Sequence, residues 1–113
     1  MNERPYSSLL GLIGGEDTRR GHRKRHTIAF DVDGTLIDAD DRPLYRNVDL
    51  LRRFVDDGQD VIIWSGGGID YAERFARKLG FEGLVRVIAK GSEEVDLAFD
   101  DEAINLGRIN YEV

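Results

Sequence analysis

Four short apolar runs punctuate this chain, and each is closed by a polar residue. They are Thr27-Ile28-Ala29-Phe30-Asp31, Val61-Ile62-Ile63-Trp64-Ser65, Val85 to Ala89 with Lys90 behind it, and Asp96-Leu97-Ala98-Phe99-Asp100. Runs this short and this apolar read as buried strands. Between them, Val48, Leu51, Phe54 and Val55 recur at helical spacing, as do Ala72, Phe75, Ala76 and Leu79. Asn47 is the expected N-cap of the first helix and Asp57-Gly58 its stop; Gly80 closes the second. Residues 38–46, with Pro43, read as a loop or small hairpin, and a short last strand is expected around Ile109 to Val113. Strands alternating with helices imply βαβ units, hence a mostly parallel sheet covered on both faces. The expected fold is a three-layer α/β/α Rossmann-like domain.

In an open parallel sheet, ligands bind at the carboxyl ends of the strands. Here those ends deliver Asp31 and Asp33, Ser65, Lys90, and Asp100 with Asp101. Four carboxylates gathered at one edge repel one another. Lys90 alone does not balance them, and a hard divalent cation such as Mg²⁺ is the natural complement. Such an edge has a chemistry. A carboxylate can attack phosphorus and form an aspartyl-phosphate. A second carboxyl two residues along can protonate the leaving oxygen and later activate water. Ser65 and the amides of Gly66-Gly67-Gly68 can hold phosphoryl oxygens, and Gly34 permits the tight turn that lets both aspartates reach one substrate.

These residues carry a resemblance. Asp31-Val32-Asp33-Gly34-Thr35-Leu36 after an apolar strand resembles the first motif of the haloacid dehalogenase-like superfamily. Ile63-Trp64-Ser65-Gly66 resembles its second motif, Lys90 its third, and Leu97-Ala98-Phe99-Asp100-Asp101 its fourth. The resemblance covers residues 27 to about 111. It implies that Asp31 is the nucleophile and a Mg²⁺ ligand. Asp33 would be the general acid/base and give its main-chain carbonyl to the metal. Ser65, Gly66 and Lys90 would bind the phosphoryl group, Asp100 would ligate Mg²⁺, and Asp101 would support the metal directly or through water. Dehalogenating members lack the second aspartate of the first motif, so Asp33 points to the phosphatase branch. Larger members carry a cap domain after the first motif or between the second and third. Residues 38–46 and 66–89 are too short for one, which implies a minimal, capless phosphohydrolase with an open site. Lys90 stands ten residues before Asp100, close for the family.

Charge adds a second layer. The net charge of −6 divides unevenly: residues 1–27 hold six basic and three acidic side chains, residues 28–113 ten and nineteen. The basic residues cluster in Arg19-Arg20-Gly21-His22-Arg23-Lys24-Arg25-His26. Residues 1–26 therefore read as a basic N-terminal arm, flexible or loosely docked, and residues 27–113 as the catalytic domain. The Arg19 to Arg25 stretch suits a polyanion. With an open site, a nucleotide or a phosphorylated nucleic-acid end becomes the favoured substrate, with the domain working alone or beside a kinase or ligase. His22 and His26 stand four apart, a spacing that on a helix can hold a metal, though a basic run is a poor setting for one. The chain has no cysteine, which excludes disulfides, thiolate zinc sites and a cysteine nucleophile. No apolar run approaches the roughly 20 residues of a membrane helix, so a cytoplasmic protein is expected; the oligomeric state is left open. Two rival functions use the same residues differently. One is a non-catalytic binding or assembly protein on this fold; the other is a nucleic-acid-binding module led by the basic arm.

Overall fold

A computed structural model of the protein describes residues 25–113. The elements, in chain order, are β1 (Thr27–Phe30), α1 (Tyr45–Asp56), β2 (Asp60–Ile63), α2 (Ile69–Lys78), β3 (Arg86–Val87), β4 (Val95–Asp100) and β5 (Gly107–Glu112). They build one sheet of order β3-β2-β1-β4-β5 in which every neighbouring pair is parallel. This is the α/β Rossmann-like fold expected from the alternation of apolar runs and helical segments. The register aligns Phe30 with Ile63 on one side and with Phe99 on the other. Asp31, Trp64 and Asp100 therefore stand level at one edge of the sheet.

The two faces of the sheet are covered differently. Val48, Leu51 and Phe54 of α1 and Ala72, Phe75 and Ala76 of α2 join Ile28, Phe30, Val61, Ile63, Leu97 and Phe99 in one core. Phe30 stacks on Phe99 at 4.6 Å and Phe99 on Tyr111 at 5.4 Å, carrying this core across to β5. Both helices lie on this face because the chain steps the same way from β1 to β2 to β3, and right-handed crossovers then put both connections on one side. Ala29, Ile62, Trp64, Val95 and Ala98 form a second core, packed by Ile88, Ile104 and Leu106. Among the described residues, loops rather than helices cover this face. Residues 101–106 must run back along a six-residue strand to start β5 parallel to it. At about 3.3 Å per residue that distance takes up nearly the whole connection, leaving none to coil into a helix.

Local details depart from the sequence expectation in three places. Helix α1 begins at Tyr45, with Leu44 at the cap position and no side-chain cap bond. Asn47 is not the cap. It lies inside the first turn, and its side-chain amide donates to the Thr35 carbonyl at 2.8 Å, tying α1 to the turn after β1. Strand β3 keeps only Arg86 and Val87 of the expected Val85 to Ala89, because β2 offers it only Ile62 and Ile63 as partners. The body also reaches back one residue further than expected. His26 is 2% exposed, its main-chain N–H donates to Gln59 at 2.6 Å, and its ring lies 3.7 Å from Asp96. Residues 1–24 of the basic arm, His22 included, lie outside the described residues, so the paired-histidine reading does too.

Candidate active site

The first turn after β1 is built around one carbonyl. Val32 C=O accepts the N–H groups of Thr35, Leu36 and Ile37 at 3.2, 2.9 and 3.2 Å, and Gly34 N–H donates to Ile37 at 2.8 Å. The chain can fold this tightly because Gly34 takes φ +77°, in the left-handed region. Gly34 has a second reason to be glycine: a Cβ there would overlap the carboxylate of Asp101. The turn after β1 and the acid pair after β4 are thus packed directly against one another. Asp31 N–H donates to the Phe99 carbonyl at 3.0 Å, which pins the same two elements together from below.

Asp31 and Asp100 are buried and Asp101 is at the surface, and oxygens of all three lie within 4.8 Å of one another. Lys90 reaches them from the loop after β3. Its Nζ stands 3.1 Å from Asp31 Oδ1 and 2.6 Å from Asp100 Oδ2. The other Asp100 oxygen accepts the Glu102 N–H at 2.9 Å. Burial pushes the Asp31 carboxyl up to about 6, against the Lys90 hydrogen bond and with help from the Asp100 charge. Asp101 is also raised, by burial first and then by Asp100. Burial opposes the charge on Lys90, yet the two carboxylates together hold it above its ordinary value. One ammonium among three carboxylates leaves an excess of negative charge on oxygen donors, and that donor set fits a hard divalent cation.

The remaining expected residues border this cluster. Ser65, buried just past β2, accepts the Gly67 N–H on Oγ at 2.9 Å, and its carbonyl accepts Gly68 N–H at 3.1 Å. This leaves the hydroxyl proton of Ser65 free to be donated elsewhere. Gly66 is exposed at the same turn. Asp33 is exposed too, and its carboxylate is not one of the three clustered around Lys90.

Sequence reasoning missed Tyr71. Its hydroxyl donates to Asp33 Oδ1 at 2.6 Å, and that bond pushes the phenol up to about 12. A signal existed: the N-termini of α1 and α2 face the edge where the strands end, so an aromatic hydroxyl in the first turn of α2 is within reach of the turn after β1. Nothing in the local spacing says which residue of that turn it meets.

A family model described as haloacid dehalogenase-like hydrolase matches residues 28–93, more than half of the chain. The chain belongs to this family. No match was found among curated proteins or among solved structures. The family match runs through the Asp31 turn, Ser65 and Lys90 and ends before Asp100. The last acid pair of this haloacid dehalogenase-like hydrolase is therefore identified by its position beside Asp31 and Lys90. Among the described residues no helix is long and apolar enough to cross a membrane.

Proposed function

We propose that this chain is a magnesium-dependent phosphatase that hydrolyses phosphomonoesters through an aspartyl-phosphate on Asp31. The observation that carries the reading is the meeting of Asp31, Asp100 and Asp101, with Lys90 bound to the first two and Asp33 two residues beyond Asp31. Magnesium held by Asp31, Asp100 and Asp101, with the Asp33 main-chain carbonyl, would neutralise the charge of the phosphate and let it approach a carboxylate. The protein's own groups supply the rest. Asp31 attacks phosphorus through a carboxylate oxygen while the ester P–O bond breaks. Asp33 gives its proton to the leaving oxygen, and the alcohol departs. Asp33, now ionised, takes a proton from water; that water attacks the phosphorus, phosphate leaves, and Asp31 is regenerated. Lys90 and the Ser65 hydroxyl, with the amide of Gly66, hold the non-bridging oxygens.

An open edge favours bulky substrates. Residues 31–44 and 64–68 form turns and isolated bridges there, and among the described residues no inserted domain stands over them. Together with the Arg19 to Arg25 run, this favours a nucleotide or nucleic-acid end as the phosphate carrier.

Turnover of 4-nitrophenyl phosphate tests the chemistry. The expected result is activity with Mg²⁺ that a chelator abolishes. Asp31→Asn should be inactive, and turnover by Asp33→Asn should fall by roughly 10²- to 10⁴-fold through loss of the base that activates water, because nitrophenolate itself leaves without a proton. Wild-type turnover indifferent to Asp31 would sink the reading. A comparison of nucleotides, 3′- and 5′-phosphorylated oligonucleotides and sugar phosphates then addresses the substrate class.

A further inference from the structure

Tyr71 reaches across from the second helix to the Asp33 carboxylate through its 2.6 Å hydrogen bond. Asp33 sits on an exposed turn, where a carboxylate in water samples several rotamers. The half-buried Tyr71 ring, by contrast, has close neighbours. It packs on Phe75 at 5.0 Å, with the planes tilted by 59°. The Arg74 guanidinium lies 5.3 Å from its centroid. It also crosses Gly67 so closely that a Cβ there would stand 3.2 Å from Tyr71 Cδ2. A hydroxyl carried on a fixed ring is a fixed donor. It ties down Oδ1 of Asp33 and leaves Oδ2 as the oxygen for proton transfer.

We propose that Tyr71 is a positioning residue for Asp33, orienting the carboxyl that protonates the leaving group, with Gly67 as the residue that makes room for its ring. This rests on the phosphatase reading. Tyr71 keeps its own proton throughout. During phosphoryl transfer to Asp31, the proton on Asp33 Oδ2 passes to the departing oxygen as the P–O bond breaks. Tyr71 therefore matters most where the leaving oxygen is a poor one.

The test compares kcat/KM of wild type and Tyr71→Phe, with Mg²⁺, on 4-nitrophenyl phosphate and on glycerol 2-phosphate. This parameter reports the first transfer, so the later attack of water does not confuse it. A nitrophenolate departs without a proton, and an alkoxide does not. Loss of a positioned acid should lower kcat/KM on glycerol 2-phosphate about 10-fold and on 4-nitrophenyl phosphate less than about 2-fold. The same ratio should move in Gly67→Ala, which pushes the ring and retains the hydroxyl; this variant carries the test if Tyr71→Phe does not fold. An equal loss on both esters would assign Tyr71 a purely structural role, and no loss on either would remove it from the reaction. Both outcomes overturn the proposal. A wild-type protein that cleaves neither ester overturns the phosphatase reading instead, and Tyr71's role with it.

Discussion

Gly34 joins two parts of the site that lie far apart in the chain. Its φ of +77° suits the turn after β1, and its missing side chain admits the Asp101 carboxylate. Gly34→Ala meets both constraints at once. The left-handed backbone alone costs an alanine about 1 kcal/mol, and displacing Asp101 adds to it. A destabilisation of roughly 2 kcal/mol or more is expected in urea unfolding, together with Mg²⁺ affinity at least about 10-fold weaker. Calorimetric titration with Mg²⁺ checks the second part. Unchanged affinity would mean that Asp101 has no share in holding the metal. At Gly58, where φ is +79° but no atom lies near a Cβ, the same change should cost only the backbone term.

At the scale of the element, the loop that carries Lys90 depends on strand β3. Arg86 binds Asp60 at the start of β2 through 2.8 and 2.9 Å bonds, and Glu93 beyond Lys90 through 2.7 and 3.1 Å bonds. A two-residue edge strand has little ladder of its own, so this fork holds both ends of the loop against the sheet. Hydrogen bonding to Arg86 is the main reason that the Asp60 and Glu93 carboxyls lie below their ordinary values of 3.8 and 4.5. Groups with depressed values stabilise the fold above the unfolded-state pKa, and that contribution fades as pH falls through the folded one. The melting temperature of Arg86→Gln should therefore lie furthest below that of wild type above pH 5. The gap should close toward pH 3. Melting curves across that range check this, and a gap constant with pH would exclude the ion pairs as its source. Because Arg86 touches no proposed substrate-binding group, the variant should also raise KM more than it lowers kcat, through a less well-placed Lys90.

For the whole molecule, the cluster sets how stability responds to metal and to pH. Asp31 has its carboxyl raised to about 6 from an ordinary 3.8, chiefly by burial. Between those values Asp31 holds more of a proton in the folded protein than in the unfolded chain, so without metal its contribution to stability falls as pH rises. A divalent cation reverses this by favouring the ionised form. At 100 times its Kd, Mg²⁺ adds about 2.7 kcal/mol, which for a domain of this size is a rise of roughly 10 °C or more in melting temperature. The rise should be large at pH 7 and much smaller at pH 5, where the proton competes for Asp31. Differential scanning fluorimetry with and without Mg²⁺ at the two pH values reads this directly. Asp100→Asn should remove most of the rise at both; an undiminished rise in that variant would place the metal elsewhere.

Much of the fold was legible without coordinates, because its signals are local. Apolar runs of strand length and helical periodicity depend only on neighbours in the chain. They located β1, β2, β4 and both helices, and they put Asp31, Ser65 and Asp100 at strand ends. What escaped were the features set by partners distant in sequence. The helices cover one face because the order β3-β2-β1-β4-β5 makes the chain step the same way through both helical crossovers, and local periodicity carries no information on strand order. Asn47 looked like a helix cap but was claimed by Thr35, and His26 looked like part of a basic arm but was buried beside Asp96. Lys90 stands 59 residues from Asp31, and Tyr71 stands 38 from Asp33. Residue types and strand ends, read from the sequence, determined which chemistry this protein can host. Which carboxylates Lys90 neutralises, which one Tyr71 orients and why Gly34 must have no side chain were decided by tertiary structure. Side chains reach only a few ångströms, and only the folded sheet brings their partners within that range.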